Sequence, residues 1–307
     1  MIGMQHVVVT GAAGFIGGAL ARDALLRGAR VTVIGHGLGT APGWDAGGAV
    51  RRIDGTVCAA TLDRLPAPPD VVFHCAGGAN VQASIAAPEA DHARTVGSTA
   101  ALAGWLADHA PAARVVYPSS GAVYGAAAGR PEGRGSACVP LSPYGLHKAA
   151  AEDILTATAA TTGLRIAIVR LFSVYGPGLR KQLLWDACRK MRAGNAAFFG
   201  TGVERRDFVE IGDAVRLMWL AADAAAAPPL VIDGGSGIGV SVQEVLHLLA
   251  AGFDPRPAVR FLGAARAGDP TDMIAQAAGA AALGWAPQVP LAEGLARYAK
   301  WFASEQP

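Results

Sequence analysis

The stretch "VVVTGAAGFIGGAL", Val7–Leu20, decides the fold. It opens on a β-branched run suited to a buried strand and closes on an apolar helical pattern. Between them Gly11, Gly14 and Gly17 stand at GxxGxxG spacing. A glycine at such a turn tolerates left-handed backbone and removes the Cβ where a pyrophosphate must approach. The helix that follows offers free N–H groups and the positive end of its dipole to that phosphate. Three glycines in register between a strand and a helix therefore predict a dinucleotide site.

Outward from this turn, strand and helix signals alternate. "RVTVIG" (30–35), 49–54, "DVVFHCAG" (70–77), 113–120 and 165–176 read as further strands. Helical patterns span 15–28, 87–110 and 142–163. Such alternation implies βαβ units and an α/β fold, a doubly wound parallel sheet. After Pro177 the rhythm changes. Helices at 182–193, 211–227, 241–252 and 291–303 are separated by short strands near 197–199, 230–232 and 258–262. The division expected is a dinucleotide-binding domain at 1–176 and a smaller substrate-binding α/β lobe at 177–307. That boundary is soft, with some lobe elements free to return to the main sheet.

The 307 residues are 52% hydrophobic and 16% charged, with formal net charge +2, a globular composition without a basic block. Nucleic acid is not an expected partner. Cys58, Cys75, Cys138 and Cys188 are scattered and show neither metal spacing nor a disulfide framework. No metal site is expected. No apolar run reaches the roughly 20 residues that span a bilayer. The opening "MIGMQHVVVT" does not read as a signal peptide, so a cytoplasmic location is expected.

Two further features carry chemistry. The strand at 113–120 ends on Ser119-Ser120, inside "YPSSGAVYG" (117–125). "SPYGLHKAAAED" (142–153) places Tyr144 and Lys148 four residues apart, on one face of a helix. A tyrosine near an ammonium and a cofactor's positive charge loses its proton more readily and serves as a general base. Against this, the second strand ends on Gly35-His36, without the acidic residue that grips an adenosine ribose. NAD is expected, with NADP left open. Asp54, ending the third strand, is a candidate adenine contact; Arg51 and Arg52 read as a solvated face. His74 reads as a structural hydrogen-bonding group, and His147 receives no role.

Together these residues make the chain resemble the extended short-chain dehydrogenase/reductase family, in particular its nucleotide-sugar epimerases. The resemblance runs through "TGAAGFIG", "FHCAGGANV", "SSGAVYG", "YGLHK", "RLFSVYGPG", "RRDFVEIGD" and "RAGDPTD". It implies a Rossmann-type domain. Gly11, Gly14 and Gly17 would hold the pyrophosphate with Phe15 and Ile16 beside it. Asp54 and Gly55 would lie near the adenine, and Ala76 and Gly77 against ribose and phosphates. Ser120 would be the catalytic hydroxyl, Tyr144 the base and Lys148 the ribose-binding lysine, with Phe172 behind the nicotinamide. Ser173, Gln182, Arg206 and Arg266 would face the substrate.

Three positions depart from the family pattern. Ser173 and Thr95 each stand where asparagine is usual, and Gln276 where aspartate is common. Gly121-Ala122 follow Ser120 in place of the Asp-Glu pair that the family's dehydratases use for elimination. The function expected is an NAD(P)-dependent epimerase of a nucleotide-diphosphate sugar, at C4, in polysaccharide-type sugar pathways. The alternative is an NADPH-dependent 4-ketosugar reductase, and a non-catalytic dinucleotide sensor is a third reading. A homodimer packed through the alanine-rich helices 93–107 and 149–160 is implied by the same resemblance.

Overall fold

The computed structural model describes residues 5–38, 50–125, 138–263 and 272–305. Seven parallel strands form the large sheet. Six come from before residue 177: β1 (His6–Thr10), β2 (Arg30–Gly35), β3 (Val50–Asp54), β4 (Val71–His74), β5 (Arg114–Ser120) and β6 (Arg165–Leu171). The seventh is Leu230–Gly234, which lies beyond residue 177 in the chain and beside β6 in space. The order across the sheet is Leu230–Gly234, β6, β5, β4, β1, β2, β3. The chain winds outward from β1 to β3, then crosses back to place β4 on the other side of β1. That reversal opens a crevice at the carboxyl ends of β1 and β4, where ligands bind in such sheets.

Strand alternation builds a core on each face. Val7, Val9, Val31, Val33 and Phe73 meet helix α1 (Phe15–Leu26) and the helix Ile211–Asp223. Val8, Ile34, Val72 and Val115 meet the helices Ser98–His109 and Pro143–Thr162. Each fully buried Val, Leu or Ile contributes about 1.5–3 kcal/mol relative to exposure. A third core, with Leu184, Met191, Leu246, Leu249, Leu295, Tyr298 and Phe302, holds the C-terminal lobe together.

Two segments differ from the sequence expectation. The apolar run 165–176 is not one strand. It breaks at Phe172, whose N–H donates to Gly234 O at 3.2 Å, and Ser173–Tyr175 then pairs with Phe208–Glu210. The run stays rich in β-branched and aromatic residues across the break, so its composition hides a change of sheet. The single helix expected over 87–110 is Pro88–His92, a π-helical turn at Ala93–Gly97, and Ser98–His109. A short helix at Val81–Ala86, capped by the Asn80 side chain on Ala83 N at 3.0 Å, precedes it.

A buried polar tie fastens the crevice. His74 is fully buried at the end of β4. Its Nδ1 lies 2.8 Å from Thr10 Oγ1 and its Nε2 3.1 Å from Thr99 Oγ1. Thr10 Oγ1 also accepts Ala76 N–H at 3.0 Å. Burial, aided by the Lys148 charge, lowers His74 from 6.5 to about 3. Between those values the unfolded chain binds more protons than the folded one. Stability therefore falls as pH drops below about 6.5, by roughly 1 kcal/mol per unit. The buried His6 ring, also lowered, adds to the same trend. His74→Gln should remove its share of this slope. Urea unfolding at about pH 7.5 and 5.5 measures it, and equal slopes in the two proteins would contradict the assignment.

Candidate active site

The phosphate turn is packed backbone against backbone. Gly11 has φ +65°, and a Cβ there would lie 2.6 Å from the carbonyl of Cys75 and 2.7 Å from Ala76 N. A Cβ on Gly17 would lie 2.5 Å from Gly11 O, and one on Gly14 3.1 Å from the same atom. Gly14 is the N-cap of α1, with no side chain capping the helix and no acidic residue in its first turn. The first-turn N–H groups, which have no acceptor within the helix, remain free for an anion. A glycine-walled approach to an uncapped helix end fits the pyrophosphate of a dinucleotide.

A cleft of ≈ 360 Å³ extends from this turn along the carboxyl ends of β1, β4, β5 and β6. Gly11, Gly14, Phe15, Ile16, Gly17, Ala76, Gly77, Ser120, Tyr144, Lys148, Phe172 and Gln182 all line it. The structure thus brings twelve of the expected residues into one space. His36 lines it as well, its Nε2 held 3.3 Å from Thr56 Oγ1. Asp54 and Gly55 lie beside it at the end of β3, Asp54 paired in register with Gly35, but they are not among the lining residues.

At the end of β5, Ser120 caps a short turn, its Oγ accepting Ala122 N–H at 3.1 Å. Ser142 caps the helix Pro143–Thr162 by accepting Gly145 N–H at 3.2 Å, and Pro143 fits its first position. Tyr144 and Lys148 therefore occupy successive turns facing the cleft. Burial pushes the Tyr144 phenol above its ordinary value, and a hydrogen bond from Ser120 acts in the opposite direction. The lysine ammonium donates to Pro118 O at 2.9 Å and sits 4.6 Å from the Tyr117 ring centroid. Burial lowers it from 10.5 to about 8, against the pull of Cys75, Glu152 and Asp91. Gly121 leaves room for Phe172: a Cβ there would lie 3.0 Å from the ring.

A second cavity adjoins the first through Val174, Leu179 and Gln182, which line both. Ser173, Gln182 and Arg206 line this second space, so three of the four expected substrate residues share it. Arg206 also borders a third cavity with Asp186, Lys190 and Glu204. Arg266 lies outside the described residues.

Sequence reasoning missed the polar groups behind the site. Ser119 donates to Glu152, which pairs with Arg170 at 2.7 Å; both partners are buried. Arg170 donates to the Tyr124 hydroxyl at 3.0 Å, and Tyr124 donates to Asp233 at 2.6 Å. Asp233 in turn accepts Gln276 N–H at 2.9 Å. Glu152 continues the i, i+4 stripe of Tyr144 and Lys148, the one signal that could have found it. His147, given no role, pairs with buried Asp91 at 2.7 Å. Asp91 leaves no room for a side chain on Gly78, whose Cβ would lie 1.9 Å from its carboxylate.

Residues 7–232 match the model of the NAD dependent epimerase/dehydratase family. The UDP-glucose 4-epimerase of Mycolicibacterium smegmatis is 30% identical over 323 residues, covering 98% of this chain and 99% of that protein. The UDP-glucose 4-epimerase of Azospirillum brasilense is 29% identical over 96% of this chain and 90% of its own length. Among solved structures, MoeE5 in complex with UDP-glucuronic acid and NAD superposes with a TM-score of 0.84 at 32% identity, covering 97% of this chain and 99% of that one. A glycine-walled phosphate turn and a Ser–Tyr–Lys corner on one cleft, together with a family match over most of the chain, lead to one conclusion: the chain belongs to the NAD dependent epimerase/dehydratase family.

Proposed function

We propose that the protein is an NAD-dependent epimerase of a nucleotide-diphosphate sugar, acting at C4. The observation that carries this reading is the composition of the cleft. Ser120, Tyr144 and Lys148 share it with the phosphate turn, and no acidic residue lines it among the described residues. Elimination of water needs an acid and a base beyond the tyrosine; hydride transfer and return do not. Relatives named as UDP-glucose 4-epimerases, and a structural neighbour holding UDP-glucuronic acid and NAD, support the substrate class.

NAD bound in this cleft supplies a hydride acceptor for oxidation at C4 and a hydride donor for its reversal. Gly11, Gly14 and Gly17, with the α1 N-terminus, would hold its pyrophosphate. Lys148 would hold a ribose hydroxyl, and Phe172 would back the ring. Ser120 Oγ donates to the sugar oxygen and keeps it against Tyr144. Tyr144 Oη takes the hydroxyl proton as the C4–H bond breaks, and gives it back when the bond re-forms on the other face. Ser173, Gln182 and Arg206 would hold the nucleotide side, so that the sugar alone turns. A homodimer through the alanine-rich helix surfaces and a cytoplasmic location belong to the same proposal. No helix among the described residues is long and apolar enough to cross a membrane.

One observation favours a second reading. β2 ends on Gly35-His36 without a ribose-gripping carboxylate, which suits exchangeable NADPH and a 4-ketosugar reductase. The deciding experiment is incubation of the purified protein with UDP-glucose or UDP-glucuronic acid and no added cofactor. Interconversion of C4 epimers is the expected result; stoichiometric NADPH consumption with a ketosugar would support the reductase instead. Tyr144→Phe should lower turnover by at least about 10²–10⁴-fold while NAD binding persists. Undiminished turnover would remove the tyrosine from the mechanism.

Lys148 gives a separate check. Its ammonium is lost as pH rises through about 8, so NAD affinity should weaken above that pH. Lys148→Met should bind weakly at every pH, with no such bend. A wild-type binding constant flat from about pH 7 to 9.5 would contradict the role.

A further inference from the structure

The segment Gly178–Gln182 spans the boundary between the two cavities, and its side chains divide. Leu179 is buried, and its carbonyl accepts the Tyr298 hydroxyl at 2.6 Å. Arg180 turns outward to Glu305 at 2.6 Å, with its guanidinium 5.6 Å from the Trp301 ring centroid. Gln182 has φ +68°, a strained value for a residue with a side chain. Its Nε2 donates to Ala79 O at 3.3 Å, on the loop after β4, so the segment is pinned to the opposite wall of the cleft. Lys181 lies between these two anchored neighbours and lines the cleft.

Lys181 has no hydrogen bond or ion pair among the described residues. Burial alone pushes its ammonium down, with no carboxylate opposing the shift. The cleft it faces has no acidic lining residue among those described. A half-buried cation without a counter-charge costs free energy until an anion enters. Lys148, the other lysine of the cleft, is committed to the Pro118 carbonyl. The phosphate turn lies on the same cleft, and a diphosphate is common to a dinucleotide and to a nucleotide sugar.

We propose that Lys181 is a diphosphate clamp, held over the cleft by the Arg180 and Gln182 anchors on either side. Its ligand is the pyrophosphate of the dinucleotide or the diphosphate of the sugar nucleotide. The second of these rests on the nucleotide-sugar reading above; the first does not. The clamp is a point charge and needs no chemistry of its own.

The test is direct binding to the full chain, by intrinsic fluorescence, of NAD and of UDP in separate titrations at low and high salt. Lys181→Met should weaken at least one ligand by about tenfold or more and flatten its salt dependence. Lys181→Arg should keep binding and salt dependence near wild type. Lys300→Met, which removes an exposed cation that does not line the cleft, should leave both constants unchanged. A loss confined to NAD assigns the clamp to the dinucleotide; a loss confined to UDP assigns it to the sugar nucleotide. Constants within about twofold of wild type for both ligands would overturn the proposal. So would a loss that Lys181→Arg fails to restore, or that leaves the salt dependence intact. Turnover is not read, so failure of the epimerase assay would leave these outcomes unaffected.

Discussion

The close approach of Gly11 to the end of β4 is the constraint on which the site depends. The absent Cβ lets the Cys75 carbonyl and Ala76 N–H come within 2.6–2.7 Å of where it would stand. Thr10 and His74 then lock the same two strands through side-chain hydrogen bonds. The floor of the cleft is therefore mostly backbone, rigid and without side chains to clear. A ligand phosphate meets fixed N–H groups at the α1 N-terminus, so little reorganisation opposes its binding. Replacing Gly11 would move β4 as well as the turn, and with it the loop carrying Ala76 and Gly77.

The opposite wall is set by charge. One helix face presents Tyr144, Lys148 and Glu152 on successive turns, and the three serve different ends. The first two face the cleft. Glu152 faces Arg170 beneath it and receives Ser119 from β5. Through Tyr124 and Asp233 this chain of contacts reaches the seventh strand and the backbone of Gln276 in the lobe. The helix Pro143–Thr162 is thus registered against β5, β6 and the backbone of Gln276 by one buried polar network. Removing Glu152 or Arg170 alone would leave the other's buried charge uncompensated, at a cost of about 3–5 kcal/mol. The network ties the helix that carries Tyr144 to β5, the strand that ends on Ser120.

The parts legible in the sequence are those encoded over a few residues. Val7–Leu20 carries its strand, turn and helix in local order, and the YxxxK spacing puts Tyr144 and Lys148 on one face wherever the helix lies. The sequence alone did not reveal features that depend on distant partners. The break at Phe172 requires Phe208–Glu210 to receive the next three residues. The Asp91–His147 pair joins two helices whose packing no periodicity states. The sequence reads Arg180, Lys181 and Gln182 alike as polar groups on the substrate side; only the structure sends Arg180 outward to Glu305 and leaves Lys181 over the cleft. The electrostatic reading of Tyr144 also needed the structure. Burial raises its phenol and Ser120 opposes the rise, whereas spacing alone pointed to the lysine. Lys148 donates to Pro118, and in the proposed mechanism it would hold the cofactor while Ser120 would act on the tyrosine.

The central claim is that the same hydride leaves C4 and returns to it within one cleft. It is tested by turning over a UDP-hexose labelled with deuterium at C4, in ordinary water, and reading both epimers by mass spectrometry. The account predicts that deuterium stays at C4 in substrate and product alike. Loss of the label to solvent would mean that the C4 hydrogen exchanges as a proton, and would contradict transient oxidation with hydride return.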